Sequence, residues 1–418
     1  MLDARITIVG GGVYVAGLCE LMASRLLQGK LDIELIARRF ERVRVIAEHA
    51  RRRTSRISAD CRIRAWPSLA EGIDGADVVV LLPRVGNLPA RAIDEAFPAR
   101  FGIQGDEGLG PGGIANYLRT APVIAEIGSA IRKHAPGAVV LNMTAPLGLT
   151  TRQLIEEGLN AIGVCELPAV TAAKLIGDGP AAALPEGLRY GGLNHVGWFW
   201  PASLKGEALL AVATARGVVD AETCERFQAI PLRYYFEVFD PPAAARLGVA
   251  RRPGRAQQLM ELTERVIHQF EDAPGEDVAE LAERPTPWFD HALMPILRAL
   301  LAGDRYCGFA NLANHALIDG LPAELVVEVP VLIEGGEVRP TAAGAPPGPV
   351  TVFLSAVGEA ELVTYRAVAR RDPGLVLTAL AALPLALDES RLRELTEATL
   401  AAGDYPSDLG YRRTWLSR

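Results

Sequence analysis

The sequence has few cysteines, and they are widely separated: Cys19, Cys61, Cys165, Cys224 and Cys307. An odd number of scattered cysteines without a CxxC pair argues against a disulfide framework and favours a reducing compartment. No apolar run reaches the roughly 18–20 residues of a membrane span. The first residues enter a strand pattern at once, which leaves no room for a signal peptide. We therefore expect a cytoplasmic globular protein that does not bind membranes.

Long basic segments are also missing. The formal net charge is −7 and no run of lysines and arginines stands out, so nucleic acid is not an expected partner. Hydrophobic residues make up 50% and charged residues 22% of the chain, which is ordinary for a soluble protein. A chain of 418 residues is too long for one small core, so two domains or one large elaborated domain are expected.

Strand and helix patterns alternate over the first ~150 residues. Short apolar runs rich in β-branched residues lie at 5–10, 31–37, 76–82 and 137–146, with helical patterns between them. This alternation predicts βαβ units and a doubly wound parallel sheet of the Rossmann type. The second half is less regular. There we predict a strand of mixed polarity at 190–200, a hairpin at 323–340 and a helical tail at about 356–401.

A glycine triplet, "VGGGVYVAG", follows the first predicted strand and opens the first helix. Gly10 allows a tight turn, Gly12 allows close approach of a pyrophosphate, and the helix N-terminus attracts the anion. Val15 stands where the third glycine of a GxGxxG fingerprint belongs. Glycine triplets also occur in ordinary strand-to-helix turns, but this position favours a dinucleotide site. Its residues are Gly10, Gly11, Gly12, Val13 and Tyr14.

Residues at the end of the second predicted strand help to distinguish NAD binding from NADP binding. An acid usually holds the adenosine ribose here, but Ala37 takes its place and Arg38 and Arg39 follow. Arginines suit a ribose 2′-phosphate and hence NADP. A solvated basic turn explains them equally well, so NAD and NADP both stay open.

Seven short motifs occur in the order found in a known enzyme family. They are "RVGNLPARAIDE" (84–95), "GDEGLGPGG" (105–113), "LRTAPV" (118–123), "NMTAP" (142–146), "CELP" (165–168), "GLNH" (192–195) and "ANLANHALIDGLPAELVVEVP" (310–330). Together they resemble the NAD- and metal-dependent glycosidases of glycoside hydrolase family 4, collinearly over nearly the whole chain. The resemblance implies a Rossmann-like cofactor domain, expected at 1–160. It also implies an α+β domain of the lactate/malate dehydrogenase type for substrate, metal and oligomerisation, expected at 161–418.

The resemblance also implies a reaction. In that reaction the nicotinamide transiently oxidises sugar C3 to a ketone. A divalent metal, Mn²⁺ in the family, polarises this ketone. A base then removes the C2 proton and the aglycone leaves from C1, so the partner is a small glycoside and the chain is expected to form a homodimer or homotetramer. Two alternatives stay open: a sugar or 2-hydroxy-acid dehydrogenase or epimerase, and a catalytically silent nucleotide-binding protein.

Roles for individual residues follow from the matched motifs. Cys165 and His195 correspond to the metal ligands, although a buried cysteine and a structural histidine are the plainer interpretation. Glu166 corresponds to a leaving-group acid. Since Pro231 stands where the family's first tyrosine would be, Tyr234 or Tyr235 is the candidate base. Further positions correspond to contacts of substrate or nicotinamide: Arg91, Glu107, Asn142 and Arg255. Asn311 and Asn314 are expected to support a loop.

Several positions depart from the family pattern. Asp106 replaces a glutamine, and Gly108 and Leu109 replace a pair of threonines. Ala145 replaces an asparagine, and "RPTPWFD" (284–290) replaces a Gly/Tyr-rich segment. Losing polar groups that a buried sugar needs changes specificity sharply. We therefore expect an anionic or unusual glycoside other than the usual 6-phosphoglucoside.

Overall fold

The computed structural model describes residues 3–26, 29–177, 183–250 and 254–404. Its strands are β1 (Ala4–Gly10), β2 (Leu31–Ile36), β3 (Cys61–Trp66), β4 (Val78–Leu82), β5 (Val139–Asn142), β6 (Asn160–Gly163), β7 (Leu188–Leu193), β8 (Val196–Pro201), β9 (Ile230–Pro231), β10 (Tyr306–Ala313), β11 (Val326–Glu334) and β12 (Glu337–Pro340).

The α-helices alternate with the strands at first and dominate the end of the chain. They are α1 (Val15–Arg25), α2 (Phe40–Ser55), α3 (Leu69–Ile73), α4 (Asn87–Ala96), α5 (Gly110–His134), α6 (Leu147–Glu156), α7 (Leu167–Ile176), α8 (Leu204–Ala215), α9 (Ala221–Phe227), α10 (Arg233–Phe239), α11 (Pro241–Arg246), α12 (Arg255–Asp272), α13 (Met294–Leu301), α14 (Gly348–Arg370), α15 (Gly374–Ala382) and α16 (Glu389–Gly403). None of the helices in the described residues is long and apolar enough to span a bilayer.

The first six strands form a parallel sheet in the order β3-β2-β1-β4-β5-β6. Each strand is followed by helix, and both faces of the sheet are covered, which is why β4 is the unbroken apolar run "VVVLL". Alternate residues serve opposite faces: Val80 packs in the core with α1 and α2, and Val79 packs with α5 on the other side. The predicted doubly wound sheet is therefore confirmed.

The sheet does not stop at β6. Strand β10 pairs antiparallel with β6 and the sheet continues through β11, β7, β8 and β9, with β12 on β11. A parallel half and an antiparallel half thus share one twelve-stranded sheet in the described residues. The proposed domain division at residue 160 falls inside this sheet, because β6 pairs with β5 on one edge and with β10 on the other.

One sequence prediction in the second half was wrong in detail. Residues 190–200 were expected to form a single strand, but the chain reverses at Asn194 and His195, and β7 and β8 make an antiparallel hairpin. His195 adopts a left-handed backbone (φ 69°), which permits the tight turn. The hairpin predicted at 323–340 is present as β11 and β12, and the helical tail as α14, α15 and α16.

Candidate functional site

The glycine triplet forms a tight loop between β1 and α1. Gly10, Gly11 and Gly12 all have positive φ (90°, 89° and 61°). A methyl group at Gly10 would lie 2.7 Å from the Leu82 carbonyl, and one at Gly11 would lie 2.3 Å from Val15 Cγ2. A methyl group at Gly12 would meet nothing within 4 Å. Only Gly12 therefore faces open space, as the glycine that approaches a pyrophosphate must.

The missing third glycine is explained by the same loop. Val15 is buried, and its side chain fills the space above Gly11 that a bulkier loop residue would occupy. Val13 and Tyr14 complete a short 3₁₀ turn before α1, and both are buried. The loop leads into a helix N-terminus without a side-chain cap, so its backbone N–H groups are available to an anion.

The carboxyl ends of β4, β5 and β6 lie beside this loop and carry the next predicted residues. In a doubly wound sheet, ligands bind at this edge, next to the point where strand order reverses. Arg84 follows β4, Asn142 ends β5, and Cys165 and Glu166 follow β6. The fold therefore brings the cofactor loop and the "CELP" motif to one edge of the sheet.

The Glu107 carboxylate forms ion pairs with two arginines at this edge of the sheet. Arg84 donates two hydrogen bonds to its carboxylate (Nε–Oε2 2.9 Å and Nη2–Oε1 2.8 Å), and Arg91 lies 3.1 Å from Oε1. Arg91 also donates to Glu95 Oε1 at 2.7 Å. Two predicted contact residues, Arg91 and Glu107, are thus brought together. Arg255 begins α12, which packs against α4, the helix that carries Arg91.

A further arginine lies between this cluster and the glycine loop. The Arg284 guanidinium is 4.5 Å from the Tyr14 ring centroid and 5.4 Å from that of Trp288. No carboxylate among the described residues forms an ion pair with it. Burial lowers the pKa of Arg284, and the nearby positive charge of Arg84 lowers it further. A partly buried cation in this position attracts an anion.

Cys165 lies in a polar pocket next to the turn that carries His195. Burial raises the pKa of its thiol, and the neighbouring Glu328 carboxylate raises it further. The Leu167 backbone N–H and the Asn194 side chain hydrogen-bond the sulfur, which favours the thiolate. Because Asn194 immediately precedes His195, the two predicted metal ligands belong to one local cluster.

His195 stacks on Tyr234, with ring centroids 4.3 Å apart and planes inclined by 24°. The imidazole also lies near Gly108, where a methyl group would lie 3.5 Å from Nδ1 and 3.2 Å from Asp106 Oδ1. Asp106 is buried and accepts a hydrogen bond from the Gly108 N–H at 2.7 Å. The glycine that replaces a family threonine thus leaves room beside the imidazole.

Glu166 follows Cys165 and precedes the first turn of α7. Its Oε2 is buried and has no hydrogen-bond partner among the described residues. Burial raises the pKa of this carboxyl, and the Arg233 guanidinium partly opposes the rise. A carboxyl with a raised pKa and a free oxygen is suited to hold and donate a proton.

The two candidate tyrosines have different surroundings. Tyr234 is half-buried against His195, but Tyr235 is buried in an aromatic core with Trp198, Phe227 and Phe353. Burial raises the pKa of Tyr235 to about 12. The geometry therefore favours Tyr234, and gives Tyr235 a packing role.

Asn142 also differs from its expected contact role. Its side chain is fully buried, donates to Thr150 and Thr151 Oγ1 (2.9 Å each) and accepts from the Thr144 N–H (3.0 Å). Both polar atoms of its side chain thus form hydrogen bonds inside the protein, and these bonds stabilise the loop before α6. Arg38 and Arg39 are exposed at the carboxyl end of β2, beside the loop that would hold a dinucleotide.

The donor set suits a catalytic rather than a structural metal. Within the described ranges no group of three or more His, Cys, Asp and Glu side chains is arranged to hold a metal ion. Cys165 and His195 supply one sulfur and one nitrogen, which leaves the other coordination positions to substrate or water. The buried thiol fits this role, since an adjacent dication lowers the pKa of a cysteine.

Glu328 is the main residue that the sequence analysis missed. It is fully buried on β11, and its carboxylate accepts from Tyr190 Oη (2.5 Å), Asn311 Nδ2 (2.9 Å) and Asn194 Nδ2 (3.2 Å). Burial raises its pKa to about 7. The available signal was a single charge within the apolar run "LVVEVPVLI", since a charge inside a buried strand needs partners.

Comparisons with known proteins agree on one family. The sequence model described as "Family 4 glycosyl hydrolase" matches residues 5–179, and that of the family's C-terminal domain matches 190–386. A 6-phospho-β-glucosidase of Thermotoga maritima is 26% identical over 95% of this chain and 98% of its own. An α-galacturonidase of Bacillus subtilis is 27% identical over 80% of this chain and 83% of its own.

Solved structures extend the likeness to the fold. The 6-phospho-β-glucosidase from Thermotoga maritima, solved with manganese, NAD⁺ and glucose-6-phosphate, superposes with a TM-score of 0.81. The two are 22% identical, over 96% of this chain and 98% of that one. A lactate dehydrogenase from Eimeria maxima has a TM-score of 0.51 at 13% identity, over 93% and 98% of the two chains. The expected dehydrogenase-like architecture is therefore confirmed.

Proposed function

The chain belongs to family 4 of the glycosyl hydrolases and is a glycosidase, and we propose that it cleaves an anionic glycoside by oxidation at C3, deprotonation at C2 and elimination at C1. Water would then add to C1, a solvent proton would return to C2 and the hydride would return to C3, so that no net oxidation occurs. It would use NAD or NADP and a divalent metal ion, Mn²⁺ by preference. When bound, the nicotinamide supplies the oxidation at C3 and the metal supplies Lewis acidity at O2 and O3. The relatives solved with NAD and manganese support this choice of cofactors.

One observation carries the proposal. Cys165, Glu166, His195 and Tyr234 cluster around a single turn at the carboxyl edge of the sheet that also holds the glycine loop. A simple dehydrogenase needs the loop and one base. The additional carboxyl and the thiol–imidazole pair support elimination chemistry.

We assign Cys165 and His195 to the metal, and Tyr234 to the C2 proton. Stacking fixes the Tyr234 ring against the imidazole, which holds its hydroxyl at a constant position relative to the metal site. With a metal held by Cys165 and His195, a base at this position would remove an adjacent C–H proton more easily, because the developing negative charge would be stabilised.

We assign Glu166 to the leaving group. Burial raises the pKa of this carboxyl, which favours its protonated form, and its Oε2 has no hydrogen-bond partner in the described residues. The same carboxyl, once ionised, can accept a proton from the water that adds to C1.

Arginines support an anionic substrate. Arg91 and Arg255 lie on neighbouring helices, and Arg84 and Arg284 lie between them and the glycine loop. Guanidinium groups pair well with phosphate and carboxylate. Two curated relatives carry names of enzymes for phosphorylated or uronic acid sugars, both of which are anionic. Glu107 would orient Arg84 and Arg91 toward the sugar.

Three expectations complete the proposal. The loop Gly10–Tyr14 would hold the pyrophosphate, and exposed Arg38 and Arg39 can accommodate a 2′-phosphate, so NAD and NADP are both tested below. Residues 1–160 and 161–418 would form the cofactor part and the substrate part. Assembly as a homodimer or homotetramer stays a prediction.

Isotope exchange tests the reaction. The protein is incubated in D₂O with Mn²⁺, with NAD⁺ or NADP⁺, and with 6-phosphoglucosides, uronides or neutral glycosides. We expect turnover only with anionic glycosides, with one deuterium at C2 of the released sugar and no net NAD(P)H. Accumulation of NAD(P)H without glycoside cleavage would contradict the proposal and favour a dehydrogenase. Cys165→Ser protein should be inactive under the same conditions.

A further inference from the structure

Four neighbouring strands place one row of residues across the junction between the two halves of the sheet. Gly163 on β6 pairs with Asn311 on β10, Asn311 pairs with Glu328 on β11, and Glu328 pairs with Gly192 on β7. Two polar side chains thus lie between two glycines in the interior of the protein. Asn311 therefore lies in a strand, not in the supporting loop expected from the sequence.

The glycines at the ends of the row allow close packing. A methyl group at Gly163 would lie 2.7 Å from Asn311 Cβ, and one at Gly192 would lie 2.5 Å from Gly197 Cα. Neither site has room for a side chain. The two glycines therefore allow close contact between β6 and the Asn311 side chain on β10, and between β7 and β8.

Each metal-ligand segment leaves the sheet just beyond one end of this row. Cys165 lies two residues after Gly163, and Asn194 and His195 lie two and three residues after Gly192. Asn311 Nδ2 donates to the Gly163 carbonyl (3.4 Å) and to Glu328 Oε1 (2.9 Å), and Asn194 Nδ2 donates to the same Oε1 (3.2 Å). One carboxylate oxygen thus connects the end of β6 to the turn between β7 and β8.

We propose that Glu328 is a positioning residue, whose carboxylate sets the separation and orientation of Cys165 and His195 through Asn311 and Asn194. A fully buried carboxylate is costly to retain, and apolar replacements of buried ionic groups are often neutral for stability. A role in geometry explains its presence here. The inference rests on the proposed function in one respect, which is that Cys165 and His195 hold the metal.

Cobalt(II) provides a test that does not depend on catalysis. Co²⁺ bound by a thiolate gives a sulfur-to-metal charge-transfer absorption, so titration of the whole protein reports affinity and ligand identity together. We expect wild-type protein to show the band and Cys165→Ser to lose it. If wild-type protein lacks the band, the metal assignment fails and this inference fails with it.

The variants separate positioning from stability. Glu328→Ala and Asn194→Ala should each weaken Co²⁺ binding about tenfold or more, the usual effect of removing groups that orient metal ligands. Glu328→Gln keeps an oxygen for both asparagines and should restore affinity to within about threefold of wild type. If Glu328→Ala does not fold, Asn311→Ala decides, because Asn194 also contacts the Cys165 sulfur directly whereas Asn311 connects Glu328 to the Gly163 carbonyl. Asn311→Ala should weaken Co²⁺ binding about tenfold, and wild-type affinity in the folded variant would overturn the proposal.

Tyr190→Phe is the matched control. It removes a hydrogen bond to Oε2 but leaves both asparagine bonds at Oε1, so thermal stability should fall and Co²⁺ affinity should stay within about twofold of wild type. Equal loss of affinity in Tyr190→Phe and Asn194→Ala would overturn the proposal, because general damage to the core would then explain both. Wild-type affinity in a folded Glu328→Ala or Asn194→Ala protein would also overturn it.

Discussion

The cofactor end and the metal end of the site are built differently. At the proposed cofactor end, three consecutive glycines with positive φ shape the backbone, and we expect main-chain N–H groups to bind the cofactor. At the proposed metal end, the buried Glu328 carboxylate accepts hydrogen bonds from Tyr190, Asn194 and Asn311, and two of these donors lie next to the segments that carry Cys165 and His195. The cofactor end therefore depends on residues with no side chain. The metal end depends on hydrogen-bond partners from four strands, β6, β7, β10 and β11, and from the turn between β7 and β8.

The largest expected effect lies at the metal end. Tyr234→Phe should lower kcat by about 10²–10⁴, the range expected for loss of a general base. Tyr235→Phe is the matched control, and it should leave kcat nearly unchanged while lowering thermal stability slightly, since the hydroxyl lies in the aromatic core. Loss of deuterium incorporation at C2 in the first variant alone would confirm the assignment. Equal loss in both would mean that the α10 helix, not one hydroxyl, matters.

A somewhat smaller effect is expected at Glu166. Glu166→Gln should slow the cleavage of glycosides with poor leaving groups about 10²-fold or more. In these substrates the glycosidic oxygen on C1 must be protonated before the leaving group departs. Activated aryl glycosides should be slowed much less. Measuring kcat/KM across leaving groups of different pKa checks this, and an equal loss for all substrates would exclude the acid role.

The cofactor end is tested by two glycines with opposite surroundings. Gly12→Ala adds a methyl group that meets no protein atom, so the protein should fold with a cost of about 1–2 kcal/mol for the left-handed backbone. Its Kd for NAD(P)⁺ should rise about tenfold. In Gly10→Ala the methyl group would lie 2.7 Å from the Leu82 carbonyl and Pro83 Cα, so this variant should be strongly destabilised. Titration calorimetry measures cofactor binding and thermal unfolding measures stability, so together they distinguish the two outcomes. Normal cofactor binding by Gly12→Ala would argue against the glycine loop as the cofactor site.

The smallest expected effect concerns a second glutamate, which is only partly exposed to solvent. Glu361 lines a small cavity with Gly108 and Gly110, but its carboxylate makes no hydrogen bond or ion pair within the described residues, unlike that of Glu328. Burial raises its pKa to about 8, so its contribution to stability is complete below pH 4.5 and is lost as the pH rises through 8.

Glu361→Gln should therefore match wild-type stability at pH 5 and exceed it at pH 9, by roughly 1 kcal/mol or more. Thermal unfolding across this pH range measures the difference. A constant offset at all pH values would show that the carboxyl does not titrate in this range. Metal affinity should not change, since Glu361 lies outside the Glu328 network.

The local structure of one end of the proposed site could be predicted from the sequence better than that of the other, for a physical reason. Glycine loops follow from local rules, because positive φ and a following helix are features of adjacent residues. The metal end depends on β10, β11 and β7, which meet only in three dimensions, and so Glu328 was missed. Tyr234 and Tyr235 are neighbours in sequence but face different surroundings once α10 forms. Asn142 lies in a motif that resembles the family's, but its side-chain amide hydrogen-bonds Thr144, Thr150 and Thr151 within the protein.

The most direct measurement is a crystal structure of the protein soaked with Mn²⁺ and NAD(P)⁺, with anomalous data for manganese. We expect one anomalous peak between Cys165 Sγ and the His195 imidazole, with the pyrophosphate over Gly12 and the nicotinamide beside the metal. Such a result would show that the two ends serve one reaction. A metal bound elsewhere, or a nicotinamide directed away from Cys165 and His195, would contradict this account.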